Sequence, residues 1–280
     1  MNIAIIGAGI GGLAAAALLV RAGHDVRVYE QAPRFARVGA GIQMAPNAVK
    51  VLRGLGIEAH VRKIAFQSEV ALSREWNTGE ITSELKLGRE VEERFGAPYL
   101  FLHRADLHAA IHSAVSPGAV QLDSKLVALE HGPKGVTLVF ANGTTVSADM
   151  VIGADGVHSL VRETLLGAER ARFTGRVAYR TTFPASRLGP TRITPARTKW
   201  WGPDRHMVVY YVTSARDEIY FVTSVPESAE WMTPESWSAK GDLETLRAAY
   251  AGFHPEVQAV LQACPEVYKW ALLDRDPLPR

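Results

Sequence analysis

The sequence predicts an α/β fold in which a Rossmann-type βαβ unit is followed by a mainly antiparallel β-sheet. Three observations support this prediction. Residues 1–30 read as strand, glycine turn, helix and strand. Short strand patterns separated by Pro, Gly and charged turns dominate residues 175–225. The chain has 280 residues, which is enough for two packed domains.

The composition is that of a globular protein that acts on small molecules, with 47% hydrophobic and 21% charged residues. Lys and Arg number 31 and Asp and Glu number 29, a balance that gives no electrostatic case for binding nucleic acid or an anionic membrane. Cys264 is the only cysteine, which excludes an intramolecular disulfide and a multi-cysteine metal site and favours a cytoplasmic location. The apolar run 14–20 is too short to cross a bilayer, and we interpret it as a buried helix.

The first βαβ unit carries the pattern GxGxxG between its strand and its helix, at Gly7, Gly9 and Gly12. In such a turn Gly7 permits the tight bend, Gly9 lets the backbone approach a pyrophosphate, and Gly12 lets the helix pack closely on the strand. Glu30 ends the next strand, where a carboxylate can accept hydrogen bonds from an adenosine ribose. The pattern predicts a dinucleotide site and does not distinguish NAD from FAD.

The later elements follow from periodicity and turn residues. "PNAVKVLRGLG" and "RADLHAAIHSAV" have helical spacing, and both helices are expected to cover a sheet. Asn142 and Gly143 predict a hairpin turn between two strands. "VAYRTTF", "RHMVVYYVT" and "EIYFVTSV" predict strands of a second sheet, and a helical stretch interrupted at Pro255 follows them.

A second motif helps to decide which dinucleotide is bound. In "DMVIGADGVHSLVR" a strand ends at Asp155-Gly156, and Ser159 and Arg162 follow at a helix start. This segment resembles the DG motif of the FAD-dependent aromatic hydroxylases, the p-hydroxybenzoate and salicylate hydroxylase type, and "HRADLH" resembles that family's arginine helix start. The resemblance implies a GR2-like FAD-binding domain with an inserted substrate domain. The residues that it implies at the cofactor are Gly7, Gly9, Gly11, Gly12, Glu30, Gln31, Gln43, Arg104, Leu126 and Asp155.

The resemblance also implies an activity. "NTGE", "HRADLHA", "KWWGPDRHMVVYY" and "RDEIYFVTSVPE" are similar to the 6-hydroxynicotinate subgroup of the family. The implied function is an FAD-dependent monooxygenase of aromatic catabolism that uses NAD(P)H and O2 to hydroxylate a small hydroxylated aromatic or pyridine carboxylate, with or without loss of the carboxylate. Alternatives are a salicylate- or 3-hydroxybenzoate-type hydroxylase and a non-catalytic flavin-binding fragment, whereas the DG motif disfavours a plain NAD-dependent dehydrogenase. No metal site is expected, and the predicted state is a monomer or homodimer.

Two residues of one predicted strand are the catalytic candidates. His206 and Tyr210 share a strand face because side chains alternate along a strand. Hydroxylation of a ring requires removal of a proton from its hydroxyl group, and the resemblance gives this role to Tyr210. A phenol of ordinary pKa, about 10, is a poor base at neutral pH, so Tyr210 needs a lowered pKa or a neighbouring acceptor. His206 is expected to be that acceptor or to hold a substrate carboxylate.

The sequence departs from the family in two places. The 6-hydroxynicotinate subgroup carries a histidine where this chain has Gln43, which cannot carry charge near neutral pH, so the ring substituent recognised is expected to differ. The chain also stops at Arg280, before the family's Gly-Asp motif, so a fragment of a longer protein or a natural truncation is expected. The predicted domains are an FAD-binding domain at 1–172 with a substrate-side excursion at about 70–100, a substrate domain at 173–265, and a truncated return to the FAD domain at 266–280.

Overall fold

The computed structural model describes residues 1–37, 40–133, 135–169, 171–228 and 239–278. In chain order the strands are β1 (Asn2–Ile6), β2 (Asp25–Tyr29), β3 (Gly41–Met44), β4 (Val70–Glu75), β5 (Ile81–Lys86), β6 (Leu100–His103), β7 (Val120–Gln121), β8 (Leu126–Gly132), β9 (Gly135–Phe140), β10 (Thr145–Ala148), β11 (Met150–Gly153), β12 (Arg172–Pro184), β13 (Arg197–Trp201), β14 (His206–Tyr211), β15 (Glu218–Pro226), β16 (Lys240–Gly241) and β17 (Val267–Asp274).

The helices alternate with the strands mainly in the first part of the chain. They are α1 (Ile10–Arg21), α2 (Pro46–Gly54), α3 (Glu58–Ile64), α4 (Arg89–Phe95), α5 (Arg104–His112), α6 (Leu160–Leu166), α7 (Leu243–Ala249) and α8 (Pro255–Ala263), with a short 3-10 helix at Ala185–Leu188. Within the described residues, none of these helices has the length and apolar character needed to cross a membrane.

The chain divides into two compact units. Unit 1 comprises Met1–Arg37, Val51–Ala59 and Asp106–Ala171, and unit 2 comprises the described residues of Val38–Lys50, His60–Ala105 and Arg172–Arg280.

Unit 1 contains the predicted βαβ unit, which the structure confirms. Its parallel sheet has the strand order β11-β1-β2-β7, so β1 is central, and Ile3 and Ile5 are almost completely buried. Helix α1 connects β1 to β2 and buries Leu13 and Ala16, since its small and apolar residues form a continuous packing face. A second, antiparallel sheet has the order β10-β9-β8, and the predicted turn at Asn142-Gly143 joins β9 to β10.

Unit 2 contains an eight-stranded sheet with the order β16-β17-β12-β15-β14-β13-β4-β5 and a two-stranded sheet, β3-β6. Pairing through β12, β15, β14 and β13 is antiparallel, which confirms the predicted mainly antiparallel sheet, and β4 joins β13 in parallel. One face of β13 and β14 belongs to an apolar cluster with α7 and α8, in which the His254 ring stacks on Trp200 at 4.8 Å between centroids.

The two units differ from the predicted domain ranges, which stay a prediction. Residues 60–105 group with unit 2 because β4 pairs along its length with β13, and β5 pairs with β4. Strand β17, within the stretch expected to return to the first domain, pairs with β12 in the large sheet. Both differences come from pairings between residues 88 to 126 positions apart in the sequence, which local patterns do not reveal.

Candidate active site

The glycine turn of unit 1 has two positions at which the protein's own packing requires glycine. Gly7 has a φ of +101°, and a Cβ there would lie 2.3 Å from the carbonyl oxygen of Ala154. A Cβ on Gly12 would lie 2.0 Å from the carbonyl oxygen of Gly7. Because backbone atoms form both contacts, any side chain at either position would displace the turn or the helix.

No packing contact within the protein requires glycine at position 9, where Gly9 stands. It is the N-cap of α1 with an ordinary φ of −70°, no side chain caps the helix, and a Cβ at Gly9 would meet no atom within 4 Å. A Cβ on Gly11 would likewise point into open space. The first N–H groups of a helix lack intrahelical partners and attract anions, so this open cradle fits the pyrophosphate of FAD.

Glu30 lies beside this cradle and is fixed by backbone groups. Its Oε2 accepts a hydrogen bond from Ala8 N and its Oε1 accepts one from Ala32 N, both at 2.9 Å. Each carboxylate oxygen can accept more than one hydrogen bond, so both oxygens retain capacity for ribose hydroxyls. Gln31 follows in an exposed turn. The two N–H donors therefore orient the Glu30 carboxylate without using all of its capacity to accept hydrogen bonds.

The DG segment lies against the glycine turn in the same unit. Ala154 N donates to the carbonyl of Ile6 at 2.8 Å, which continues the pairing of β11 with β1. Asp155 Oδ1 accepts from the Ser159 hydroxyl at 2.5 Å, and Ser159 in turn caps α6 by accepting from Arg162 N at 2.9 Å. Leu126, by contrast, lies in the apolar cluster of unit 1 and is 9% exposed. The two motifs are thus neighbours in unit 1, and a contact of Leu126 with a cofactor stays a prediction.

Unit 2 holds the other predicted site residues. Arg104 begins α5, its backbone N donates to Ala40 O at 2.8 Å, and burial lowers the pKa of its guanidinium. Gln43 lies on β3, and its Oε1 accepts a hydrogen bond from the Tyr99 hydroxyl at 3.1 Å. The Gln43 side chain also influences Tyr210, since it opposes the rise that burial causes in the pKa of the Tyr210 hydroxyl group.

Tyr210 is buried beneath β3 and β6, with 1% of its surface exposed. Its ring lies 5.0 Å from Phe101 and 5.2 Å from Tyr220, and a Cβ on Gly41 would lie 2.9 Å from its hydroxyl oxygen. Burial raises the pKa of Tyr210 well above the ordinary value, and the side chain of Gln43 opposes that shift without outweighing it. Tyr210 is therefore a neutral phenol at neutral pH, whereas direct proton removal by a phenolate would need a lowered pKa.

His206 lies on the same strand but not beside Tyr210. The two residues are four positions apart, which corresponds to about 13 Å along a strand. His206 pairs with Trp201 and Ser224 across the neighbouring strands, and its ring lies 5.3 Å from that of Trp201. This distance is too long for direct proton transfer from Tyr210 to His206, so the two residues would act separately.

The imidazole of His206 is held in its neutral form. Burial, followed by the charges of Lys199, Arg176 and Arg197, lowers the pKa of His206 to about 4. At neutral pH the ring can donate or accept a hydrogen bond but offers no positive charge to a substrate carboxylate.

This shift predicts an acid-sensitive contribution to stability. Between pH 6.5 and about 4 the unfolded chain binds a proton that folded His206 does not, so the free energy of unfolding falls as the pH falls across this window. An NMR titration should contain an imidazole with a pKa near 4 that disappears in His206→Gln and remains in the control His131→Gln, at an exposed residue. If the resonance that is lost in His206→Gln titrates near pH 6.5 in the wild-type protein, this assignment is wrong.

Sequence reasoning missed a group of basic residues around these side chains. Antiparallel partners share a sheet face, and the register places four cations on the face that carries Tyr210. We call them the cationic face: Arg176, Arg180, Arg197 and Lys199. Burial lowers the pKa of Arg180 to about 10, and its guanidinium lies 3.7 Å from the centroid of the Trp270 ring. The sequence "ARTKWW" shows that the two basic residues alternate with other residues and so share a strand face. Only the strand pairing shows that this face is the one that carries Tyr210.

Comparison with known proteins identifies what this chain is similar to. The FAD binding domain family matches residues 1–257. The chain is 47% identical over 278 residues to 6-hydroxynicotinate 3-monooxygenase of Bordetella bronchiseptica, covering 99% of this chain and 72% of that protein. It is 41% identical to 3-amino-4-hydroxybenzoate 2-monooxygenase PtnB3 of Streptomyces platensis, covering 98% and 68%. The crystal structure of Klebsiella pneumoniae HpxO complexed with FAD and uric acid superposes with a TM-score of 0.85 at 28% identity, covering 99% and 69%.

Proposed function

This chain belongs to the FAD binding domain family and is an FAD-dependent aromatic-ring monooxygenase, and we propose that its substrate is a small hydroxylated aromatic or pyridine carboxylate. The names of both relatives support this class, since 6-hydroxynicotinate and 3-amino-4-hydroxybenzoate are both ring carboxylates that carry a hydroxyl group. A 6-hydroxynicotinate-like acid is the first candidate. A salicylate- or 3-hydroxybenzoate-type acid is the second, supported by relatives named 3-hydroxybenzoate 6-hydroxylase at 31–32% identity.

The residues of unit 1 would hold the cofactor. The N–H groups around Gly9 and Gly11 would bind the pyrophosphate, and Glu30 would accept hydrogen bonds from the adenosine ribose. Asp155 would face the cofactor from the DG segment, where Ser159 fixes its carboxylate. Bound FAD supplies the redox chemistry that activates O2 with electrons from NAD(P)H. The remaining roles belong to the residues of unit 2.

One observation carries the proposed substrate chemistry: the hydroxyl group of Tyr210 is buried next to Gly41, on the face of the sheet that carries the cations. As a neutral phenol, Tyr210 would donate a hydrogen bond to the ring oxygen of the substrate and so stabilise its ionised form. An ionised ring oxygen increases the electron density at the ring carbons ortho and para to it, which is what electrophilic hydroxylation requires. We assign His206 a separate role, as a neutral hydrogen-bonding group at the other end of β14.

The experiment that tests this function is a spectral and kinetic screen. The purified chain should take up FAD and show flavin absorbance, and NADH or NADPH oxidation should be stimulated by hydroxylated aromatic acids, with 6-hydroxynicotinate among the strongest. The mass of the product shows whether the carboxylate is retained. A protein that binds FAD but whose NAD(P)H oxidation responds to none of these acids would contradict the proposed substrate class. That outcome is the one expected of a non-catalytic flavin-binding protein.

Two further expectations accompany this proposal. The balance of basic and acidic residues gives no reason to expect nucleic acid or a membrane as a partner, and the single buried cysteine suits a cytoplasmic enzyme. We expect a monomer or homodimer, which the mass of the purified protein in solution would decide.

A further inference from the structure

Arg197 occupies a specific position on the sheet of unit 2. Thr198 pairs with Val209 in the antiparallel register of β13 and β14, so the residue before Thr198 and the residue after Val209 lie opposite each other. These two residues are Arg197 and Tyr210. Directly opposed side chains on one face have Cβ atoms about 5 Å apart. The guanidinium of Arg197 therefore projects from the sheet beside the phenol of Tyr210.

The charge of Arg197 has no carboxylate partner within the described part of the chain. Its Nε is buried and makes no hydrogen bond, and neither Arg197 nor the neighbouring Lys199 forms an ion pair there. The ammonium of Lys199 instead lies 3.4 Å from the centroid of the Trp201 ring. Arg197 and Lys199 are each half-buried, and a charge partly removed from water is stabilised by an opposite charge, so these two adjacent cations leave room for an external anion.

The electrostatic influence of Arg197 reaches the polar groups of the proposed substrate site. Burial raises the pKa of Tyr210 and of Tyr99, and the charge of Arg197 opposes that rise. Burial lowers the pKa of His206 and of Lys199, and the charge of Arg197 lowers both further. These four groups come from β13, from β14 and from the segment before β6, and Arg197 is a cation that acts on all of them. An anion bound at Arg197 would thus lie within reach of the Tyr210 hydroxyl.

We propose that Arg197, assisted by Lys199, is the specificity-determining residue of the substrate site and that it binds the carboxylate of the aromatic substrate. This inference rests on the proposed function, because it deepens the substrate class named there. A guanidinium presents a planar pair of N–H donors that matches a carboxylate, which neither the neutral imidazole of His206 nor the amide of Gln43 can replace with a charge. The site would accept ring carboxylates and discriminate against their uncharged amides.

The test compares matched acids and amides bound to the FAD-loaded protein without turnover. Dissociation constants are measured by calorimetry for salicylate and salicylamide and for 6-hydroxynicotinate and 6-hydroxynicotinamide, near pH 7, where the carboxylates are ionised. We expect Arg197→Gln to weaken binding of the acids by about 10- to 100-fold, the range for a hydrogen bond to a charged group, with little change for the amides. Arg197→Lys, which keeps the charge, should recover part of the preference.

Arg172→Gln is the matched control, since Arg172 lies in the same unit but is exposed and ion-paired with Asp274 at 2.9 Å. It should keep the wild-type ratio of acid to amide affinity. If Arg197→Gln does not fold, Arg197→Met repeats the comparison with the apolar stem retained. An Arg197→Gln or Arg197→Met protein with the wild-type ratio, or with equal loss of acid and amide, would overturn the inference. A wild-type protein that prefers the acids but hydroxylates none would contradict the proposed function alone.

Discussion

Replacing Tyr210 with Phe is expected to reduce hydroxylation by about 100-fold or more in kcat, the range for loss of one positioned hydrogen-bond donor to a developing oxyanion. The hydroxyl is the only group removed, and the ring contacts with Phe101 and Tyr220 remain, so the fold should persist. FAD uptake should be unchanged because the proposed FAD contacts of unit 1 are intact. Single-turnover kinetics with a saturating hydroxylated acid separates the loss in chemistry from any loss in binding.

Tyr211→Phe is the matched control for this prediction. Tyr211 follows Tyr210 on β14, points to the opposite face, and is 5% exposed, and burial raises its pKa as well. Tyr211→Phe therefore measures how much activity is lost when a hydroxyl group is removed from a buried tyrosine of this strand that is not assigned to the reaction. If Tyr210→Phe hydroxylates at the wild-type rate, or if Tyr211→Phe loses as much activity, Tyr210 has no specific role in the reaction.

The second large effect is expected at the helix N-terminus of unit 1. Gly9→Asp should reduce the affinity for FAD by about 100-fold, because the new carboxylate would fill the open cradle and repel a pyrophosphate a few ångströms away. The same substitution should leave the free energy of unfolding of the FAD-free protein within about 0.5 kcal/mol, since Asp is a favourable N-cap residue. Fluorescence titration of FAD and urea unfolding of the FAD-free protein measure the two quantities.

Two further variants separate the effect of the charge in Gly9→Asp from the effect of side-chain size and from nonspecific effects of a substitution. Gly9→Asn has nearly the same size and also caps helices, so the difference between the Asp and Asn variants is the contribution of the charge. Gly54→Ala adds a methyl group at the end of α2, 4.0 Å from the nearest atom, and should leave FAD binding unchanged. Tight FAD binding by the Asp variant would show that the pyrophosphate is not bound at Gly9.

The proposed cofactor site of unit 1 was predictable from sequence because its signals are local. The turn, the helix and the second strand of the βαβ unit follow from glycine spacing and apolar periodicity within 30 residues. Gly7 and Gly12 confirm the physical reading of the pattern, since each avoids a backbone clash. Glu30 lies where the spacing predicts it, beside Ala8.

The proposed substrate site of unit 2 was predictable only in part, because its geometry depends on pairings between distant segments. The approach of Gln43 to Tyr99 joins residues 56 positions apart, and the position of Arg197 depends on β13 pairing with β14 on one side and β4 on the other. The sequence argument required a lowered pKa at Tyr210 or an adjacent acceptor. The structure instead raises that pKa, because β3 and β6 bury the phenol in a way that strand alternation cannot reveal.

The most direct test of the account is to follow the oxygen atom. The FAD-loaded protein is incubated with NADH, dioxygen labelled with the heavy oxygen isotope, and 6-hydroxynicotinate or salicylate, and the products are analysed by mass spectrometry. The account predicts a new ring hydroxyl group that carries the label, formed in proportion to the NADH consumed. Consumption of NADH that yields only labelled hydrogen peroxide, with no labelled ring hydroxyl on any hydroxylated acid, would contradict it.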